Sequence, residues 1–209
     1  MYPVSYAADY AAEGRNRLTT FFRYIVAIPW QIVMALYGFV ASFAIVIAWF
    51  ALLFTGRFPE GLYNFVGGYV RMSARVNAFS YLLTDEYPPF NGADDPAYPV
   101  RTGIPEPLDK YSRLKVLFRY IIGIPVMLLG FVHAIILMVV TLIAWFAILF
   151  TGRHPEGLFG PARSASAYLT RSMAYFGLLT EDWPPFSLEE GAGTAGAGQI
   201  SETAASRTR

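Results

Sequence analysis

The sequence contains no cysteine, only two histidines and few charged residues. Without cysteine, the chain can form neither a disulfide nor a thiolate metal site. The two histidines, His133 and His154, are not accompanied by the clustered acids that a metal centre needs, so we expect no metal and no other cofactor. The local signatures of a serine–histidine–acid triad and of a glycine-rich phosphate loop are also missing, so we expect no enzymatic activity.

The charge balance excludes a second class of function. The net charge is +1, which gives no indication of a nucleic-acid-binding surface. Charged residues make up 15% of the chain, whereas soluble domains usually contain about 25%. The segment 1–23 is polar or mixed and does not resemble a cleaved secretory signal, so the first apolar block would itself direct insertion.

What the chain has instead is two long uncharged blocks. The segments 24–56 and 120–152 contain no acidic residue, lysine or arginine, and only His133 interrupts the second. A membrane-spanning helix needs about 20 apolar residues, so each block is long enough to cross a bilayer. With 55% hydrophobic residues and a mean hydropathy of +0.40, the composition predicts an integral membrane protein. The alternative is a soluble all-α protein with a very apolar core.

The sequence is an internal duplication with a constant offset. The segment WFALLFTGRFPEGL at 49–62 returns as WFAILFTGRHPEGL at 145–158, and the closing TDEYPPF of the first copy returns as TEDWPPF. We therefore divide the chain into membrane repeat 1 (1–96), membrane repeat 2 (97–187) and a tail (188–209). The tail is rich in glycine, alanine, serine and threonine, and it is predicted to be disordered.

Each copy is predicted to begin with a short extended segment and a basic helical segment. A kink or a fresh helix start is expected at Pro29, followed by an apolar helix over 30–54. In the repeated elbow, Gly56 suits a left-handed helix end, and Pro59 with Glu60 suits the first turn of a new helix. That second, amphipathic helix is predicted over 61–83 and again over 157–179. The aspartates and glutamates that follow these helices, Asp85, Glu86, Glu181 and Asp182, are predicted to be exposed to solvent.

The predicted fold class is thus an all-α integral membrane protein of two tandem helical-hairpin repeats. Each repeat contains an apolar transmembrane helix followed by an amphipathic helix, with short N-terminal extended segments. Tyrosine and tryptophan near the ends of the apolar helices are predicted to form an interfacial belt. We interpret His133, which has no counterpart in the first copy, as a packing residue held by a hydrogen bond.

The arginines leave the topology open. If each copy crosses once, the copies are inverted and the basic residues divide evenly between the two sides, which sets no orientation. If the second helices also cross, most basic residues share the side of the termini, but Arg71, Arg75, Arg163 and Arg171 enter the membrane at about 2.5–3.5 kcal/mol each. In a third arrangement the blocks dip in and return, and the second helices lie flat. We favour two crossing hairpins in the bacterial inner (plasma) membrane, multi-pass, with both termini cytoplasmic.

The motifs FFRYIVAIPW, IAWFALLFTGRFPEGLYNFV, RMSARVNAF and LLTDEYPPF resemble a bacterial membrane-protein family catalogued as domain of unknown function 4389. The resemblance covers both copies, essentially residues 2–187. The second copy departs from the pattern at Trp183, Ala167 and Pro161, where the first copy has Tyr87, Arg71 and Phe65. The resemblance implies membrane residence and carries no mechanism.

Our leading functional hypothesis is a non-enzymatic accessory or scaffold subunit of a larger membrane complex, with membrane lipids and other membrane-protein subunits as partners. One alternative is a membrane-shaping or anionic-lipid-binding protein. Another is a small oligomeric transporter or channel, in which Arg71, Arg75 and Arg171 line an anion path. The residues predicted to contact lipid or a partner are Arg17, Arg23, Arg57, Arg75, Arg113, Arg119, Arg153 and Arg171.

Overall fold

The computed structural model describes residues 2–185, so the predicted disordered tail lies outside the described residues. The first copy contains β1 (Ser5–Ala8), α1 (Arg17–Phe21), α2 (Arg23–Thr55) and α3 (Glu60–Ser80). The second copy contains β2 (Val100–Gly103), α4 (Arg113–Leu117), α5 (Arg119–Ile122), α6 (Ile124–Thr151) and α7 (Glu156–Phe176). The helical-hairpin prediction is confirmed in its coarse form: each copy pairs a long apolar helix with a shorter second helix, and a small extended segment precedes them.

The two prolines at the start of the apolar blocks behave differently. Of the two outcomes predicted at Pro29, a kink or a fresh helix start, the fresh start is wrong, because α2 runs without interruption through this residue for 33 residues. In the second copy the helix does restart, and Pro125 lies in the first turn of α6, where proline costs no hydrogen bond. The helix restarts next to Gly123, which stands where the first copy has Ala27. A Cβ at Gly123 would lie 2.6 Å from the ring of Phe176, so this close approach requires glycine.

The elbow forms as its sequence predicts. Gly56 and Gly152 end the long helices in the left-handed conformation, each with φ of 72°. Pro59 and Pro155 then precede the second helices, whose first turns contain Glu60 and Glu156. These second helices end slightly earlier than predicted. Leu82 and Leu178 adopt positive φ of 65° and 64°, which terminates each helix before its acidic residues and prolines.

The two copies interlock through their N-terminal segments. Helix α1 packs on α6, and α4 packs on α2. The indole Nε1 of Trp49, near the end of α2, donates to the carbonyl oxygen of Val116 at 3.0 Å. Trp145, near the end of α6, makes the equivalent bond to Thr20 at 2.9 Å. Because each long helix ends beside the start of the other, α2 and α6 run in opposite directions.

This opposite direction corrects the favoured topology. Two crossing hairpins with both termini on one side require α2 and α6 to run in the same direction, with both elbows on the opposite side. In the structure the elbows at Gly56 and Gly152 lie at opposite ends of the molecule, because the start of each copy packs on the end of the other copy's long helix. The even split of basic residues in the sequence is what such an inverted pair produces.

The elements form three layers, and the helix contacts of one copy have equivalents in the other. Helices α2 and α6 form the first layer, and α3 and α7, which pack on each other and on the long helices, form the second. The third layer is the antiparallel pair β1–β2, with Tyr6 opposite Thr102, lying against α3 and α7. The short extended segment predicted at the start of each copy is therefore present in both. Gly103 still pairs with Ser5, and its amide donates to the Ser5 hydroxyl.

Candidate functional sites: an apolar face, arginine rims and a charged cavity

The outward sides of α2 and α6 carry large exposed apolar side chains, and we call these two surfaces together the apolar face. Large exposed side chains follow each helix at helical spacing, as in Ile25, Ile28, Ile32, Leu36, Phe39 and Phe43 of α2 and Leu128, Phe131, Ile135, Met138 and Leu142 of α6. Both helices are long and apolar enough to span a membrane, yet only 17% and 22% of their most apolar windows are buried. A core helix of a soluble protein would be mostly covered, so the apolar face needs a partner or lipid.

The opposite side, which we call the polar face, contains β1–β2 and its flanking segments. Here Arg101 forms a two-pronged ion pair with Asp9, at 2.6 and 2.9 Å, and the pair is open to solvent. The strand β1 runs along α7 from the Arg171–Val4 contact to the Tyr10–Phe159 contact, so the strand pair lies beside the middle of the second layer. The apolar face is therefore uncharged along α2 and α6, whereas the polar face carries an exposed ion pair beside α3 and α7.

Four of the arginines predicted to contact lipid or a partner are buried. Arg23 is 1% exposed; it forms an ion pair with Asp85, donates to the Thr84 carbonyl at 3.3 Å and lies over the Phe79 ring. Its counterpart Arg119 is also 1% exposed and donates to the Thr180 carbonyl at 2.6 Å. Both side chains join the start of a long helix to the end of a second helix, and neither is placed to reach a lipid headgroup.

The other two buried arginines hold the segments next to the strands. Arg75 donates to the Ala93 carbonyl at 2.8 Å, and Arg171 donates to the Val4 carbonyl at 3.1 Å. Each guanidinium also lies near an aromatic ring, that of Tyr98 or Tyr2. These contacts satisfy a positive charge inside the protein with backbone dipoles and ring faces. They also tie α3 and α7 to the segments that flank the strands.

The acids after the second helices are not simply solvated, which corrects the expectation for Asp85 and Glu181. Asp85 accepts from the Asn16 amide and pairs with both Arg23 and Arg15, the latter at 3.4 Å. Glu181 occupies the equivalent place, accepting from the Ser112 amide at 2.6 Å and pairing with Lys115. A single sequence gives no sign of these contacts, because each acid lies 69 positions from the amide that it accepts from.

The other four predicted arginines form what we call the arginine rims, two exposed side chains at each end of the apolar face. Arg113 donates to the Phe54 carbonyl at the end of α2, next to the elbow residue Arg57. At the other end, Arg17 lies against Gly152, and Arg153 forms an exposed pair with Glu13 at 3.0 Å. Each rim therefore combines one arginine from each copy. Both arginines lie near the C-terminus of a long helix, where the helix dipole stabilises a cation.

The tryptophans near the ends of the long apolar helices make contacts inside the protein. The indole nitrogens of Trp49 and Trp145 are used in bonds between the copies, and Trp30 stacks on Phe90 and donates to the Pro88 carbonyl.

The expectation for His133 is confirmed: its Nδ1 lies 2.8 Å from the Leu129 carbonyl, and its ring stacks on Tyr168. The other histidine, His154, is buried, and this burial lowers its pKa.

A cavity of about 550 Å³ lies between α3 and the loop 104–107, and the sequence did not single it out as a site. Among its lining residues are Asn64 and Arg71, neither of which is shared by the two copies: the second copy has Gly160 and Ala167 in their places. That asymmetry is the signal that could have identified the site from sequence. Across residues 2–185 no group of three histidines or acids could hold a metal ion.

The fold and its surfaces define a duplicated helical protein with two inverted copies, one uncharged apolar face and two arginine rims. The chain belongs to the family described as domain of unknown function (DUF4389), whose model matches it twice, over residues 17–91 and 113–187. The two matches coincide with the two copies and confirm the family resemblance. No curated protein and no solved structure matches the chain.

Proposed function

We propose that this protein is a non-enzymatic membrane protein that lies in the plane of one leaflet. Its apolar face enters the hydrocarbon, and its arginine rims bind anionic headgroups. The observation that carries the proposal is the position of β1–β2, which lies along α3 and α7 and carries the solvent-accessible Arg101–Asp9 pair. The proposal develops the lipid-binding alternative of the sequence and departs from the crossing hairpins.

A crossing orientation conflicts with this geometry. If α2 and α6 stood upright, α3 and α7 would stand with them, and the strand pair would lie at mid-membrane depth. An open strand edge and an ion pair would then face lipid, where unsatisfied backbone groups cost several kcal/mol each. The segment 81–112 would also have to return across the membrane with its acids, among them Asp94 and Glu106. Lying flat places all of these groups in water.

The dimensions of the first layer suit one leaflet. A helix with its side chains is about 10–12 Å wide, and half of a hydrocarbon core is about 15 Å thick. Helices α2 and α6 therefore fit side by side within a leaflet. The uncharged blocks 24–56 and 120–152 then correspond to the length of helix immersed, and their ends coincide with the rims.

The rims supply the electrostatic part of the attachment. Arg17, Arg57, Arg113 and Arg153 are exposed at the two ends of the apolar face, and in this orientation they would meet the headgroups. A basic residue near an anionic membrane surface contributes about 1 kcal/mol, and the cytoplasmic leaflet is the anionic one. We therefore assign the protein to the cytoplasmic surface of a bacterial plasma membrane.

Cysteine labelling tests the orientation, since the chain has no native cysteine. We would introduce Gly61→Cys, Gly157→Cys and Asp94→Cys singly; a side chain at either glycine meets no neighbour within 4 Å. In sealed vesicles, all three cysteines should react with an impermeant maleimide from the same side. Reaction of Gly61→Cys and Gly157→Cys from opposite sides would show that the helices cross.

A scaffold role within a larger membrane assembly is compatible with the same placement, because the polar face is left free for a partner. Its test is purification in mild detergent from the native membrane. A reproducible partner held at constant stoichiometry would support the role, and a protein that is always solitary would count against it.

A further inference from the structure

We propose that the cavity between α3 and the loop 104–107 binds a small zwitterion, with the anionic group of the ligand on Arg71 and its ammonium group near Glu60 and Glu106. The cavity measures about 550 Å³, within the usual range for small-molecule sites. Its polar side chains converge from two elements: Glu60, Asn64 and Arg71 from α3, and Glu106 from the loop. This site is separate from the apolar face and does not depend on the membrane proposal.

Arg71 differs from the buried arginines because its charge is not satisfied by the protein. Within the described part of the chain its guanidinium makes no hydrogen bond and no ion pair, whereas each of the four buried arginines donates to a backbone carbonyl. Gly67 lies one turn earlier on the same side of α3 and lines the cavity beside the guanidinium. An arginine with unused donors at a cavity wall is a site for a carboxylate or phosphate group.

The acids explain why a zwitterion fits better than a simple anion. Glu60 and Glu106 line the same cavity, yet no oxygen of either comes within 4.0 Å of the Arg71 nitrogens. Positive and negative charges thus face one space without neutralising each other. A purely anionic ligand would meet repulsion from the carboxylates, and a purely cationic one would meet repulsion from Arg71, whereas a dipolar ligand satisfies both ends.

The second copy shows what the same fold looks like without the site. Ala167 and Gly160 replace Arg71 and Asn64, and Tyr10 stands where Glu106 is found. The Tyr10 ring packs on Phe159 with centroids 4.9 Å apart, so an aromatic pair occupies the equivalent place. The polar cavity is therefore found in the first copy and is replaced by an aromatic pair in the second. The Arg71→Ala variant introduces the residue that the second copy already has at the equivalent position.

Isothermal titration of the purified full chain in neutral detergent tests the proposal with three soluble probes: glycerophosphoethanolamine, glycerol 3-phosphate and ethanolamine. We expect saturable one-to-one binding of the zwitterion and weaker binding of the two singly charged probes. Arg71→Ala should weaken zwitterion binding roughly tenfold or more, as loss of a charge-assisted hydrogen bond does. Lys110→Ala removes an exposed cation just after the loop and should leave binding unchanged.

The Glu106→Gln variant distinguishes the zwitterion from a simple anion, because it should narrow the preference for glycerophosphoethanolamine over glycerol 3-phosphate. A parallel titration with phosphatidylethanolamine in mixed micelles separates a lipid headgroup from a free ligand. Tighter binding of the lipid would assign the site to a headgroup, and tighter binding of the soluble probe would assign it to a free metabolite. Absence of saturable binding by any probe, or equal binding by wild type and Arg71→Ala with matching circular dichroism, would overturn the proposal.

Discussion

The indole Nε1 of Trp49 donates to the backbone carbonyl of Val116 at 3.0 Å, joining the end of one copy's long helix to the first short helix of the other. Trp145 and Thr20 repeat the bond at the opposite end. The bonds show that each copy completes the other, so the duplication is an interlocked unit and not two independent hairpins.

Replacing Trp49 by phenylalanine should destabilise the protein by about 1 kcal/mol, because the Val116 carbonyl loses its donor while most of the ring packing remains. Trp145→Phe should have a similar effect, and the double variant should be near additive, since the two bonds lie at opposite ends. Chemical denaturation in neutral detergent, followed by circular dichroism, measures this. An unchanged midpoint in both single variants would show that the indole bonds contribute nothing.

The Asp85→Asn change should be far more costly than Glu181→Gln. Asp85 compensates the buried guanidinium of Arg23 and also pairs with Arg15, so its loss leaves a buried charge uncompensated at a cost of about 3 kcal/mol. Glu181 pairs with Lys115, whose side chain is more than half exposed, and such a pair contributes about 0.5 kcal/mol. Denaturation midpoints of the two variants give the comparison, and equal losses would contradict it.

The contact between Gly92 and Gly68 should not tolerate a side chain. A Cβ on Gly92 would lie less than 3.0 Å from the Gly68 carbonyl oxygen. Because that oxygen belongs to the helix backbone, it cannot rotate away as a side chain could. Gly92→Ala should cost about 1–3 kcal/mol through forced separation of the loop from α3. The matched control is Gly61→Ala, where nothing lies within 4 Å. A stable Gly92→Ala variant would show that the loop is not held against the helix.

Stability should decrease in mild acid through His154. Burial lowers the pKa of its imidazole below the ordinary value of 6.5, so the folded state favours the neutral ring while the unfolded state binds a proton below about pH 6.5. Stability is therefore full above that pH and is lost as the pH falls. The His154→Phe variant, which carries the residue of the first copy, should show a smaller loss between about pH 7 and 5. Identical pH profiles for the two proteins would contradict this assignment.

Removing the arginine rims should abolish the preference for anionic lipid. We expect phosphatidylglycerol to raise the Tm of the wild-type protein in neutral detergent more than phosphatidylcholine does. Changing Arg17, Arg57, Arg113 and Arg153 together to glutamine should erase that difference, because no other exposed arginine borders the apolar face among residues 2–185. Arg101→Gln on the polar face is the control and should retain it. A difference that survives in the fourfold variant would place the lipid contact elsewhere.

The sequence by itself determined the local features of the protein. The two uncharged blocks determine the long apolar helices, since no acid, lysine or arginine interrupts 24–56 or 120–152. Glycine, proline and glutamate determine the elbow, because a left-handed end and a donor-free first turn are properties of those residues alone. The constant offset between matching motifs likewise determines that the chain is a duplication.

Only the tertiary structure decided how the copies meet. The opposite direction of α2 and α6 depends on contacts such as Trp49–Val116, which join residues 67 positions apart and leave no periodic trace in the sequence. The same holds for the burial of Arg23 and Arg119, which composition alone placed at the membrane surface. Arg71 and Glu106 face one cavity because the loop 104–107 folds back on α3, and a one-dimensional sequence contains no record of that approach.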